Sequence, residues 1–410
     1  MDAIKRNAFD LATKLLDKFP VLAIIGTRQC GKTTLSKQLR NHWKYIDLEN
    51  PRDYDYLISD PLMFFEQNPH SVIIDEAQLS PILFKVLRGV IDSDRERKNR
   101  FIITGSSSPE LLNHISESLA GRIAYIELSP FKTNERLQQP LSEIYNAFAK
   151  PNDVFNFRDL KSSMSLLDFR DQWLLGGYPE PTLQQDSDFW QMWMQQFRDS
   201  YINRDIAALF PNINKINYRR FMTILAKLSG TIINKSDLAR NIEVSQPTIS
   251  QYLDIAHNTF LWRNIPSFSN NSLKSLIKMP KGIIRDSGLL HYLLKIHDQE
   301  SLMSDPIVGL SFEGFVIEEI IRGIQAKGIV NTDFYYYRTK HGAEIDLIIS
   351  GPHGYIPIEI KYGSFTPLNK LEKLKEFVND YDAAYGIVIN NSNTIQYLSG
   401  NIIQIPVNFL

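Results

Sequence analysis

The chain has very little cysteine: Cys30 stands alone among 410 residues. No internal disulfide can form, which points to a reducing compartment. Charge of either sign is not in excess, because the formal net charge is −1. No global field therefore draws the protein to nucleic acid or to an acidic membrane surface, and any such contact has to come from a local patch. Long hydrophobic runs are missing too. No stretch approaches the ~18 uninterrupted apolar residues of a spanning helix, and Met1 to Asn7 is not followed by the apolar core of a signal segment. A cytoplasmic protein without membrane contact is the expectation. What remains is 43% hydrophobic and 22% charged, ordinary folded composition in a length that suits two or three domains.

Against that plain background one motif is sharp. Gly26-Thr27-Arg28-Gln29-Cys30-Gly31-Lys32-Thr33 reads G-x-x-x-x-G-K-[ST], set between the apolar run Val21 to Ile25 and the helix-like segment from Thr34 to Leu39. Strand, glycine loop and helix follow one another in the order a phosphate cradle requires. Gly26 and Gly31 let backbone N–H groups turn inward, and the helix N-terminus adds its positive dipole end. Lys32 is expected on the β/γ-phosphates of ATP, and Thr33 offers a hydroxyl to Mg²⁺. The nucleotide site expected here comprises Gly26, Thr27, Arg28, Gln29, Cys30, Gly31, Lys32, Thr33 and Thr34.

A second segment fits the first. Ser71-Val72-Ile73-Ile74-Asp75-Glu76 is an apolar run ending in two carboxylates, a buried parallel strand with its acids at the carboxyl edge. Asp75 is placed to hold the Mg²⁺ water shell, and Glu76 to polarise the attacking water. Runs at Trp43 to Leu48, Arg100 to Thr104 and Ile123 to Leu128 complete five strands alternating with helical segments, which implies a parallel sheet covered on both faces. Ser106, after the fourth strand, is a candidate γ-phosphate sensor, while Ser108 before Pro109 and Glu110 reads equally well as a helix N-cap. Leu111 to Gly121 reads as a helix, with Arg122 just ahead of the fifth strand.

These residues together resemble the AAA+ ATPase core, in which an arginine between the fourth helix and fifth strand often reaches a neighbour's γ-phosphate. The resemblance makes Arg122 that finger and implies an oligomer. Phe101-Ile102-Ile103-Thr104-Gly105-Ser106, Leu119-Ala120-Gly121-Arg122, Gly176-Gly177-Tyr178-Pro179 and Tyr201-Ile202-Asn203-Arg204-Asp205-Ile206 narrow it further. They are similar to a large prokaryotic group of AAA-type ATPases joined to a C-terminal domain of unknown function.

Further along, Trp190, Trp193 and Phe197 fall on one face of a helix and read as core. A helix-turn-helix candidate follows in Tyr218 to Leu228, Ser236 to Asn241 with Ser236 near its cap, and Ser245 to Leu253 with Ser245 as N-cap. Phe260 to Phe268 and Leu276 to Asp286 are extended runs that suit a wing. Gln246, Thr248 and Ser250 are residue types that read base edges. The third helix carries Asp254 and no basic residue, so phosphate contacts would fall to Arg219, Arg220, Lys235 or Arg240. DNA contact and an interdomain spacer are both open for this module.

Near the C-terminus, Tyr335 to Arg338, Ala343 to Ile349 and Ile356 to Lys361 read as three strands behind a helix from Ser311 to Ile324. Side chains alternate along a strand, so Glu359 and Lys361 share a face and Asp346 lies on the neighbouring strand. An Asp followed by Glu-x-Lys behind a helical acid resembles the PD-(D/E)xK nuclease fold. That resemblance implies Asp346 and Glu359 as Mg²⁺ ligands, Glu313 as an auxiliary ligand and Lys361 as the catalytic cation.

The expected architecture is thus α/β: a P-loop AAA+ core with a five-stranded parallel sheet over 1–135, a helical lid and insertion over 136–210, a winged helix-turn-helix over 211–285, and a mixed α/β nuclease-like domain over 286–410. Two functional readings follow. One is an ATP-hydrolysing protein coupled to DNA binding and metal-dependent cleavage. The other is a nucleotide-controlled interaction switch whose C-terminal domain binds without cutting.

Overall fold

A computed structural model describes residues 4–106, 118–151, 155–184, 186–207, 210–269, 279–339 and 344–410. Ser107, Ser108 and most of the helix expected over Leu111 to Gly121 lie outside the described residues, as does the start of the second wing run. The chain divides into two compact units, one comprising the residues up to Phe131 with Asn258–Phe260, the other Lys132–His257 with Leu261–Leu410.

In the first unit β1 (Val21–Gly26), β2 (Lys44–Asp47), β3 (Val72–Asp75), β4 (Phe101–Ser106) and β5 (Ile123–Glu127) form one sheet in the order β2-β3-β4-β1-β5. Every neighbouring pair is parallel. The five-stranded parallel sheet of the sequence reading is therefore present. β1 and β3 are buried along their full length, as strands covered on both faces must be. Parallel register brings the carboxyl ends of β1, β3 and β4 to one edge, with Gly26 opposite Ser106 and Ile74 opposite Ile103.

The second unit holds two smaller systems. Helices Lys215–Lys227, Lys235–Ile242 and Gln246–Asn258 accompany an antiparallel sheet of β6 (Thr231–Ile232), β7 (Trp262–Ile265) and β8 (Lys281–Ile284) in the order β6-β8-β7. Asn234, not Ser236, caps the middle helix, its side chain accepting from the amides of Ser236 and Asp237. Asn accepts at this position as readily as Ser, so the helix begins one residue earlier. Trp190, Trp193 and Phe197, on helix Ser187–Ser200, are buried in the core beside this module.

The other system is a mixed sheet of β9 (Asp333–Arg338), β10 (Glu344–Gly351), β11 (Gly354–Ile360), β12 (Gly386–Asn390), β13 (Gln396–Ser399) and β14 (Ile402–Pro406), ordered β13-β14-β12-β11-β10-β9. Hairpins join β9 to β11, whereas β11 and β12 run parallel across a connection that contains helix Glu372–Asp380.

Helix Val308–Lys327 packs at the heart of this unit, with every residue from Ser311 to Ile324 buried. Its acids are consequently buried and must find cations. Glu319 accepts from Lys132 Nζ at 2.9 Å, and Glu318 lies among Arg263, Arg285 and Arg322. Burial alone would raise Glu318, but the three guanidiniums outweigh it and hold the carboxyl at about 2.

Two stability measurements follow. Glu318 is depressed below its ordinary 4.5, so its contribution is complete above that value and fades as pH falls toward 2. Glu318→Gln should cost about 3–5 kcal/mol at neutral pH, a gap in thermal stability that narrows below pH 4.5; equal melting temperatures at pH 7 would contradict the triple pairing. A Cβ at Gly323 would stand 1.9 Å from the Tyr145 ring, which Lys132 and the Glu319 carbonyl hold in place. Overpacking at about 1–3 kcal/mol outweighs a helix-propensity gain of at most ~1 kcal/mol. Calorimetry should therefore show Gly323→Ala melting lower than wild type, and a higher melting temperature would contradict the close approach.

Candidate functional site

The glycine loop leaves β1 at Gly26 and enters helix Lys32–Leu39. A Cβ at Gly26 would meet the Leu128 carbonyl at 2.0 Å, so only glycine lets the loop pass that strand. Gly31 at φ +99° caps the helix in a conformation glycine tolerates best, and it offers no side chain to the first-turn amides. Those amides are left to an anion. Lys32 is buried and donates to the carbonyls of Gly26 at 3.2 Å and Thr27 at 3.0 Å. Its ammonium thus rests on the loop itself.

Asp75 ends β3 and is also buried. Thr33 Oγ1 donates to Asp75 Oδ2 at 2.6 Å, Tyr45 Oη donates to the same oxygen at 2.7 Å, and Thr104 Oγ1 donates to Asp75 Oδ1. All three are neutral donors. They orient the carboxylate without cancelling its charge, which leaves hard oxygens beside the loop for a hard cation. This donor set fits Mg²⁺ held through Thr33 and the shell of Asp75. Burial and the adjacent Asp75 raise the Tyr45 phenol well above its ordinary range, so it stays a donor.

Glu76 follows in the left-handed region at φ +54°, and its carboxylate accepts from Gln78 Nε2. Thr27 is buried, Arg28 half-buried, and Gln29 and Thr34 exposed. Cys30 is buried. Its thiol is fully buried against the Leu128 carbonyl at 3.1 Å and raised by burial above the usual thiol range. Arg6 fixes the same turn, donating to the carbonyls of Cys30 at 2.8 Å and Ser129 at 2.6 Å. Ser106 ends β4 opposite Gly26. Arg122, ahead of β5, is not brought to this loop: β5 starts level with Val21, at the far edge of the sheet. There it makes a bidentate pair with Asp92 at 2.7 and 2.9 Å.

The C-terminal candidates do converge. Lys361 Nζ lies 2.6 Å from Glu359 Oε1 and 3.6 Å from Asp346 Oδ2, and Asp346 accepts from the Ile360 amide at 2.7 Å. Glu313 is paired with Lys281, which arrives from β8. Burial, then the charge of Asp346, lifts Glu313 to about 8 and Glu359 to about 7. Among the described residues no group of three or more acids, histidines or cysteines is arranged to hold a metal ion. Lys361 joins Asp346 and Glu359 as the motif implies, but Glu313 is engaged by Lys281, so the three-ligand set inferred from Glu313, Asp346 and Glu359 is not assembled here.

Tyr45, Thr104, Arg6 and Lys281 escaped the sequence reading. Thr104 carried a signal, a polar residue directly after the apolar run Phe101 to Ile103 as Asp75 is after Val72 to Ile74. The others are matched by register or tertiary approach, which no local pattern announces.

Comparison with known proteins follows the same lines. Residues 18–137 match the AAA domain family, 166–300 a domain of unknown function (DUF8612), and 308–410 another domain of unknown function (DUF4143). Uncharacterized proteins Rv2008c of Mycobacterium tuberculosis and Mb2031c of Mycobacterium bovis are each 34% identical over 372 residues, covering 89% of this chain and 76% of theirs. Uncharacterized protein MJ1544 of Methanocaldococcus jannaschii is 24% identical, covering 94% and 83%. Among solved structures, the Walker-type ATPase PABY2304 of Pyrococcus abyssi is similar over 72% of this chain and 96% of its own, at 16% identity and a TM-score of 0.46. The glycine loop, the hydroxyl-bound Asp75 and the AAA match describe a P-loop ATPase domain, and the chain belongs to one family with the two mycobacterial proteins.

Proposed function

We propose that the chain binds and hydrolyses ATP and works as a nucleotide-controlled switch, with its C-terminal domain a binding platform that does not cut. One observation carries the first half: Thr33 and Asp75 stand 2.6 Å apart at the mouth of a loop whose helix amides have no protein cap. On this reading Lys32 leaves the Gly26 and Thr27 carbonyls for the β/γ-phosphates, and the Thr33 hydroxyl turns from Asp75 toward Mg²⁺. Thr33 and the shell of Asp75 would hold that ion, which would supply charge stabilisation in phosphoryl transfer. Tyr45 and Thr104 keep Asp75 aimed as Thr33 leaves. Glu76, steadied by Gln78, orients the attacking water. Ser106 lies at the strand end suited to a sensor. Arg122 acts on a neighbour's nucleotide after releasing Asp92, which makes the working form a homo-oligomer.

The platform half rests on charge. The helix and strand order of residues 215–284 suits a winged helix, and three of its four expected phosphate contacts meet partners within the chain. Arg219 pairs with Asp199 at 3.6 Å, Arg240 with Asp237, and Lys235 with Ser250 at 3.1 Å. Arg220 is exposed. Exposed pairs of this kind are weak, so these cations do not decide against duplex contact, and the platform reading rests on the C-terminal acids. The helix, three strands, helix and strand that follow suit a nuclease-like fold, but its acids are held by lysines.

Hydrolysis and plasmid integrity, measured together with Mg²⁺ and Mn²⁺, test the reading. Lys32→Ala should lower ATP turnover at least about a hundredfold, as loss of a key charge stabiliser does. Tyr45→Phe, losing one hydrogen bond to a charged group worth about 1.5–3 kcal/mol, should leave a weaker ATPase with a raised KM for MgATP. Plasmid should stay intact throughout. Turnover unaffected by Lys32→Ala would remove the ATPase, and cleavage that disappears in Asp346→Ala would replace the platform with a nuclease.

A further inference from the structure

The acidic cluster of the C-terminal domain contains a lysine that does not come from that domain's own sheet. Lys281 is on β8, the middle strand of the three-stranded sheet, paired with β6 on one side and β7 on the other. Its backbone is therefore fixed. Its side chain is only 6% exposed and its ammonium pairs with Glu313 on helix Val308–Lys327. A lysine buried this deeply is held there by the charge it meets, since an isolated buried ammonium would lose its proton. Here desolvation is outweighed by Glu313 first and Asp346 next, and the lysine remains firmly protonated.

The remaining acids are served from the other side. Lys361 spans Glu359 and Asp346, and the Ile360 amide takes the second claim on Asp346 Oδ2. Three carboxylates thus meet two ammoniums, each contact falling on one oxygen of its carboxylate: Glu313 Oε1, Glu359 Oε1 and Asp346 Oδ2. Mg²⁺ demands near-octahedral oxygen ligands at about 2.0–2.1 Å, a shell in which an ammonium has no place.

We propose that Lys281 is the resident cation of this cluster, a tethered ammonium that replaces a divalent ion and locks the three-stranded sheet onto the helix that carries Glu313. The inference does not depend on the ATPase reading, because every residue in it lies in the second unit. It gives the lock a chemical consequence. Removing the ammonium leaves three carboxylates facing one lysine, a cluster that should then take up a divalent ion from solution.

The full chain is titrated with Mn²⁺ alone, without nucleotide, and free ion is read by electron paramagnetic resonance. Wild type and Asp346→Asn should bind equal amounts. Lys281→Met should bind one more Mn²⁺ per chain, and the double variant Lys281→Met/Asp346→Asn should lose it. Wild type binding one more ion than Asp346→Asn would overturn the proposal, showing a metal site with Lys281 in place. So would Lys281→Met, folded by circular dichroism, that gains no ion. Lys281→Gln serves the same comparison if the methionine variant fails to fold. Pulse acylation of wild type with an amine-reactive ester, read by mass spectrometry, needs no variant. Lys281 should label far more slowly than exposed lysines, and labelling at their rate would also overturn the lock.

Discussion

A buried carboxylate has to be compensated, and the way each is compensated in this protein decides what it is available to do. An uncompensated charge in a low-dielectric interior costs several kcal/mol, so none of these acids is a passive neighbour. Asp75 is satisfied by three hydroxyls. Glu318 and Glu319 are satisfied by guanidinium or ammonium groups, whereas Glu313 and Glu359 pair with lysines yet stay raised by burial and by Asp346. Hydroxyls orient a carboxylate and leave its charge in place; cations spend it.

That difference separates two regions whose sequences advertise the same chemistry. At the carboxyl edge of the parallel sheet, neutral donors hold an acid ready beside a loop that has amides and a lysine to offer an anion. The lysine is itself parked on loop carbonyls and Thr33 on Asp75, so the groups needed for a nucleotide already neighbour one another. At the C-terminal cluster, Glu-x-Lys and its acids meet as the motif implies, but the charge is answered from within. The long helix Val308–Lys327 explains why. It is buried through most of its length, so three of its acids must be matched by cations from Lys132, Lys281 and the arginines around Glu318.

The sequence made the first region legible because its signals are local. A G-x-x-x-x-G-K-[ST] loop between strand and helix, and an apolar run ending in Asp75, identify both the sheet and its functional edge. Tyr45 and Thr104 were hidden because each meets Asp75 across strands, 30 and 29 residues away in the chain. Lys281 was harder still. It lies in a run that reads as a wing, and its partner Glu313 is 32 residues on, in a different element. Position in a loop also says nothing of which way a side chain turns: the Cys30 thiol turns inward against the Leu128 carbonyl. Asn234 rather than Ser236 as a cap shows how a one-residue shift follows when two capping residues stand close together.

The most direct test of this account is an anomalous-difference map from crystals grown with Mn²⁺ and a slowly hydrolysed ATP analogue. One peak per chain, beside Thr33 Oγ1 and Asp75 and bridging the analogue's phosphates, is the result the account predicts. A peak enclosed by Glu313, Asp346 and Glu359, with Lys281 turned away, would contradict it.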